Sequence, residues 1–170
     1  MYIFLINPTY AFSPLNNTYN NTEDIYKIKV IKISCSSDIL TAIREQSVKH
    51  NMDWKITYCI VGYESGFKAD KIYITTKERS YGLLQVNIMS NFPKDKNPNL
   101  LLDSKYNLNY QLNNLNEAYK YGIKLGFSGI ELAEYISKNG QRADWHNKAN
   151  VKYIKESIKE YYSEAILIES

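Results

Sequence analysis

The chain has 170 residues, a formal net charge of +3 and 44% hydrophobic residues. This length suits one compact domain that buries about two thirds of its unfolded surface, so no disulfide or metal staple is required. The positive charge is small and evenly spread, which argues against a nucleic-acid-binding protein. The sequence contains no run of about 20 apolar residues and therefore predicts no membrane span.

Cysteine and histidine are too scarce for a disulfide framework or a zinc site. Cys35 and Cys59 can form one bridge at most, and Cys59 lies in an apolar stretch of predicted helix. That setting favours a buried free thiol. Neither His50 nor His146 is spaced from the cysteines as zinc ligands are, so no metal site is predicted.

The N-terminal region differs from the rest of the chain. Residues 1–6 are apolar, but the run is short and lacks a basic leader, so it does not resemble a standard secretory signal. The alternating residues 25–34 predict a strand. We interpret residues 1–36 as an arm or lead-in element that precedes a domain over residues 37–170.

Two helices are predicted in the first half of this domain. Residues 36–38 are good N-cap residues for a first helix that ends near His50. Its apolar face is assigned to Ile39, Ile43, Val48 and Met52. Asp53 is the predicted cap of a second helix, which has an apolar core-facing side and ends before Gly66.

An extended segment and three further helices follow. The β-branched, alternating residues between Asp70 and Arg79 predict a small strand or extended region. Helices are predicted over residues 106–122, 129–137 and 151–168, because each stretch carries apolar side chains at helical spacing. The sequence therefore predicts a mainly α fold, of the α+β kind, with one small β region.

Two short motifs carry candidate chemistry. The first, Tyr63-Glu64-Ser65-Gly66-Phe67, places a carboxyl group at the end of an apolar helix. Desolvation there is expected to raise the pKa of this carboxyl and keep it protonated as a general acid. The second motif, residues 81–87, supplies a close-approach glycine and, 21 positions after the carboxyl group, an amide side chain suited to N-acetyl and hydroxyl groups of sugars.

Together, the two motifs resemble those of the soluble lytic transglycosylases, within the lysozyme-like superfamily, and look most like phage-type members. The resemblance covers roughly residues 38–162. A third family feature, which mostly concerns packing, is matched by Asp103, Asn107, Leu108 and Leu115. The chain departs from that feature at Gln111 and Asn114.

The resemblance implies a role for each matching residue. Glu64 would protonate the bond between N-acetylmuramic acid and N-acetylglucosamine, then take the proton of the 6-hydroxyl to give a 1,6-anhydro product. Ser65 would orient Glu64, whereas Gln85 and Asn87 would contact the sugar. Tyr135 is the candidate for the tyrosine of the family's late Tyr-Asn-x-Gly motif, which also contacts substrate. No metal or organic cofactor is implied.

Two alternatives stay open. A hydrolytic lysozyme needs a second carboxylate at a defined distance from the acid. Glu78 and Asp70 lie between the motifs and are the candidates, although Glu78 beside Lys77 and Arg79 also fits a surface ion cluster. The other alternative is a non-catalytic wall-binding or structural module, or an unrelated helical interaction protein in which the motifs are coincidental.

The biological setting follows from the same resemblance. The expected partner is the glycan strand of peptidoglycan, with no nucleic acid, and the protein is expected to be a monomer. It would be made in the bacterial cytoplasm without a standard signal peptide and act on the cell wall. An endolysin released by a holin, or a virion-associated lysin, fits this pattern best.

Overall fold

The computed structural model describes residues 33–90, 92–139 and 154–169. Within them, the helices are α1 (Ser37–Lys49), α2 (Trp54–Ser65), α3 (Ser104–Lys124), α4 (Gly129–Asn139) and α5 (Glu156–Glu169). The strands are β1 (Ile72–Ile74), β2 (Arg79–Tyr81) and β3 (Val86–Asn87), and a 3₁₀ turn spans Pro98–Leu102. The predicted mainly α fold with a small β region is confirmed at this level.

The helices of the first half begin and end where the sequence predicts. Ser36 caps α1 and Asp53 caps α2, each with a side-chain oxygen that accepts a first-turn backbone N–H. Gly66 ends α2 in the left-handed conformation, with φ 62°, and its N–H donates to the Gly62 carbonyl. Glu64 therefore lies in the last turn of α2.

The prediction for one residue of the apolar face of α1 is wrong. Val48 is 80% exposed, because five positions turn a helix by roughly 140° from Ile43. Ser47 takes the buried place instead, and its hydroxyl donates to Thr57 Oγ1 at 2.8 Å. Met52 is buried as expected, but it reaches the core from the turn that follows α1.

The sheet extends further than predicted. β1 falls within residues 70–79, but β2 and β3 continue the β region to Asn87, so its predicted end at Arg79 was wrong. The three strands pair antiparallel in the order β1-β2-β3. β2 and β3 lack the run of β-branched residues that marks β1, so no pattern in the sequence predicts them.

Both faces of the sheet are covered where β2 meets β3. Directly paired residues project to the same side. One row of paired residues is Ile72, Tyr81 and Val86, and the other is Tyr73, Ser80 and Asn87. Val86 of the first row is fully buried in a small core with Phe92 and Leu101, and Ser80 of the second row is buried as well. The edge strand β1 is exposed throughout.

The main core is built around α2. Eight of its twelve residues are buried, because α1, α4 and α5 all pack against it. The second-half helices match the prediction, except that the last one begins at Glu156, so Ile154 precedes it. The predictions for residues 1–32, including most of the strand at 25–34, and for residues 151–153 lie outside the described residues.

Two compositional predictions can be compared with the described residues. None of their helices is long and apolar enough to cross a membrane. Cys59 is a buried free thiol, as predicted, and Cys35 is also free.

Candidate functional site

The turn that carries Gln85 has an unusual backbone. Gly82 has φ 75° and Gln85 has φ 43°, both in the left-handed region. A Cβ atom at Gly82 would collide with the Leu101 carbonyl oxygen and the Asn107 amide. The expectation of a close-approach glycine at this position is therefore confirmed, and its physical cause is the 3₁₀ turn and α3 lying directly against it.

Asn107 holds this turn from α3. Its side chain is fully buried, and Nδ2 donates to the Tyr81 and Leu101 carbonyls, both at 2.9 Å. Its Oδ1 accepts the Leu84 N–H at 2.8 Å. The third sequence feature, interpreted as mostly packing, thus fixes the second motif through buried hydrogen bonds, which are costly to remove.

Lys71 connects the turn to the end of α2. Its Nζ donates to the Glu64 carbonyl oxygen at 2.6 Å. Its own carbonyl accepts the Gly82 N–H at 2.8 Å and Gln85 Nε2 at 3.2 Å. The two motifs are therefore joined through one residue that the sequence reasoning missed, since an isolated lysine in a loop carries no recognisable signal.

Gln85 uses its amide nitrogen within the turn. Besides the bond to Lys71, Nε2 donates to the Gly82 carbonyl at 2.8 Å, so both of its N–H groups act inside the protein. A contact between Gln85 and a sugar would consequently be made by the carbonyl oxygen Oε1.

Glu64 and Ser65 occupy different environments in the same turn of helix. Glu64 is half-buried, whereas Ser65 is buried. The Ser65 hydroxyl donates to the Val61 carbonyl at 3.0 Å, one turn back in α2. Its suggested role in orienting Glu64 stays a prediction. Phe67, the last residue of the motif, is a core residue whose ring packs on Tyr58.

Asn87 lies on β3 beside the turn. It is half-buried, and its Oδ1 accepts the Met89 N–H at 2.9 Å. Across the sheet it is in line with Ser80 and then with the exposed Tyr73. Ser80 between them is buried, so the row is no continuous exposed surface, and the sugar contact of Asn87 stays a prediction.

The two candidate second carboxylates lie in different places. Asp70 is exposed in the loop between α2 and β1. Glu78 is half-buried at the turn between β1 and β2, and its Oε1 accepts the Ser80 hydroxyl at 2.5 Å. That bond ties the Glu78 carboxylate to a buried hydroxyl group of β2.

Tyr135 lies in the interior between α3 and α4. It is fully buried, with its ring centroid 5.3 Å from that of Phe127, and burial raises the pKa of its hydroxyl. Its contact with substrate stays a prediction.

A polar cluster that the sequence did not predict lies beside Tyr63, the residue before Glu64. Glu134 of α4 is fully buried, forms an ion pair with Lys138 at 2.8 Å and accepts the Lys155 N–H at 3.0 Å. The Lys155 ammonium lies 3.9 Å from the ring centroid of Tyr63 and donates to its hydroxyl. These bonds attach α4 and the approach to α5 to the residue before Glu64.

Known proteins provide no direct comparison for this site. Searches against protein-family models, curated proteins and solved structures each returned no match.

Proposed function

We propose that this protein is a lysozyme-like enzyme that cleaves the glycan strands of peptidoglycan, by lytic transglycosylation between N-acetylmuramic acid and N-acetylglucosamine. The proposal rests on one observation: Lys71 joins the helix end that carries Glu64 to the turn that carries Gln85. An acid and a sugar-binding amide, separate in sequence, are thereby held by the same residue.

The position of Glu64 suits an acid–base carboxyl group. Glu64 is half-buried at the end of the helix around which the core is built. In the proposed reaction its carboxyl proton passes to the leaving glycosidic oxygen. The resulting carboxylate then accepts the proton of the 6-hydroxyl as that oxygen closes the 1,6-anhydro ring, so Glu64 ends the cycle protonated.

Substrate binding is assigned to the neighbouring polar groups. Gln85 Oε1 and the Asn87 amide would hydrogen-bond the N-acetyl and hydroxyl groups of the sugars. Asn87 is half-buried on β3, two residues after Gln85, so the two amides would act on neighbouring parts of the glycan. The protein would reach the wall as an endolysin released by a holin or as a virion-associated lysin.

A hydrolytic lysozyme is the second candidate, because Glu78 is half-buried on the hairpin between the two motifs and its carboxylate is held by the Ser80 hydroxyl. Asp70, which is exposed and precedes Lys71, stays the other candidate for a second carboxylate.

The deciding experiment is digestion of purified peptidoglycan followed by mass spectrometry of the released muropeptides. We expect products with 1,6-anhydro ends from the wild type. We expect no detectable release from Glu64→Gln, because an amide cannot donate the required proton. The matched control is Glu131→Gln, which changes an exposed glutamate of α4 in the same way and should keep full activity.

Other outcomes would redirect the assignment. Products heavier by one water, lost in Glu78→Gln, would identify a lysozyme with Glu78 as second carboxylate. Equal release by wild type and folded Glu64→Gln would refute the catalytic role of Glu64. Binding to wall material without release would support a non-catalytic wall-binding module.

A further inference from the structure

We infer that Lys71 is a positioning residue that sets the placement of Glu64 relative to Gln85, an inference that rests on the proposed function. Lys71 occupies the loop between α2 and β1 and is half-buried. Both its side chain and its backbone carbonyl make hydrogen bonds to the site. Its ammonium bonds the acid-bearing helix, and its carbonyl bonds the amide-bearing turn.

The ammonium completes the end of α2. The last four carbonyls of a helix have no partner within it. In α2 the Gly66 N–H satisfies the Gly62 carbonyl, and Lys71 Nζ satisfies that of Glu64 itself at 2.6 Å. A cation at this position also interacts favourably with the negative end of the helix dipole. The Glu64 backbone is thus fixed where helix ends ordinarily fray.

The carbonyl of Lys71 completes the turn. It accepts two donors, the Gly82 N–H and Gln85 Nε2. Gly82 and Gln85 both have positive φ, a conformation that persists in a non-glycine residue only where its surroundings enforce it. Movement of the Lys71 backbone would therefore move the Gln85 side chain directly.

The side-chain bond can be removed without touching the sheet, because the carbonyl bonds belong to the main chain. Lys71→Met keeps the length of the side chain and removes the ammonium, whereas Lys71→Arg keeps the cation. Lys77 provides the matched control, since it is an exposed lysine at the far end of the same hairpin. Lys77→Met removes the same charge without reaching either motif.

The test measures kcat and KM on soluble peptidoglycan glycan fragments. We expect Lys71→Met to lower kcat by about tenfold or more, with KM within about twofold, because a small misplacement of a reacting group costs rate. Lys71→Arg should recover most of the lost kcat, and Lys77→Met should match the wild type. Circular dichroism and thermal unfolding verify that each variant is folded.

Hydrogen exchange gives a readout that does not depend on activity. Lys71→Met should speed amide exchange in residues 62–66 and 82–85 but not in α3. If Lys71→Met does not fold, the test is made with Lys71→Arg. Loss of kcat in a folded Lys71→Arg protein would refute the role of the cation.

The outcomes separate this inference from the proposed function. An active wild type with unchanged kcat and unchanged exchange in Lys71→Met would refute the positioning role and leave the enzyme assignment standing. Equal losses in Lys71→Met and Lys77→Met would also refute it, by pointing to general attraction of an anionic wall. An inactive wild type would overturn both the proposed function and this inference.

Discussion

At the scale of single residues, the site depends on groups that act through shape and hydrogen bonding as much as through charge. Asn107 makes two hydrogen bonds to the turn before Gln85 and a third to the Leu101 carbonyl. Gly82 leaves the space that Asn107 and the Leu101 carbonyl occupy. Neither residue carries chemistry, yet both determine where the Gln85 side chain lies.

Gly82→Ala should be strongly destabilising. The methyl group would meet a backbone oxygen that cannot turn away, and φ 75° is unfavourable for alanine. We expect the free energy of unfolding to fall by about 3 kcal/mol, measured by urea denaturation. Gly126→Ala is the control, since Gly126 has φ 88° with no atom near its Cβ position, and should cost about 1 kcal/mol. Equal costs for the two variants would show that the contact at Gly82 is unimportant.

At the scale of elements, the contact between α2 and α5 supports the helix that carries Glu64. Gly62 lets the Tyr161 ring of α5 lie against the α2 backbone, where a Cβ atom would come within 2.7 Å of the ring. The same ring makes an edge-on contact with Phe67, with centroids 5.4 Å apart. Helix α5 thereby packs against Gly62 and Phe67, which flank Glu64 in the sequence.

The sign of the change in stability caused by Gly62→Ala tests this contact. In an unpacked helix this change stabilises by up to about 1 kcal/mol. Here we expect destabilisation by about 1 to 3 kcal/mol, because the methyl group overpacks against Tyr161. In Tyr161→Leu the same change should cost at least about 1 kcal/mol less. Strict additivity in this double-mutant cycle, measured by urea denaturation, would mean that the two residues do not interact.

At the scale of the whole molecule, the start of the described chain is fixed to its last helix. The Ser34 N–H and the Tyr58 hydroxyl both donate to Glu164 Oε1, the latter at 2.8 Å. Cys35 lies beside them, and burial is the main reason that its thiol has its pKa raised to about 11, with the Glu164 carboxylate adding to the rise. Ser34 and Cys35 meet α2 and α5 at this cluster.

Alkylation of Cys35 tests whether this cluster excludes solvent from the thiol. Because the thiol has a raised pKa, the folded state favours the neutral form. Its contribution to stability is complete below the ordinary pKa near 9 and is lost as pH rises toward about 11. Iodoacetamide labelling of Cys35, followed by peptide mass mapping, should be half-maximal near pH 11 in native protein and about two pH units lower in urea. A native midpoint near 9 would indicate an open, solvated thiol.

The sequence by itself determined the helical elements and their limits in the first half of the domain. The caps Ser36 and Asp53 and the terminator Gly66 are local signals, so their effect needs no distant partner. It also indicated that a glycine was needed in the second motif. Apolar spacing correctly predicted α3 and α4, because helical periodicity extends over many residues.

Only the tertiary structure decided how the motifs meet. β2 and β3 lack the β-branched run that marks β1, and they form because β1 and the small core provide partners for them. Lys71 and Glu134 look like ordinary polar residues in sequence, and Asn107 was matched only to a feature concerned with packing. Their importance arises from burial and from bonds to residues far along the chain, such as the 2.8 Å bond between Asn107 and Leu84. Hydrogen bonds of this kind depend on which backbone groups the fold leaves without a partner, and no local pattern specifies that.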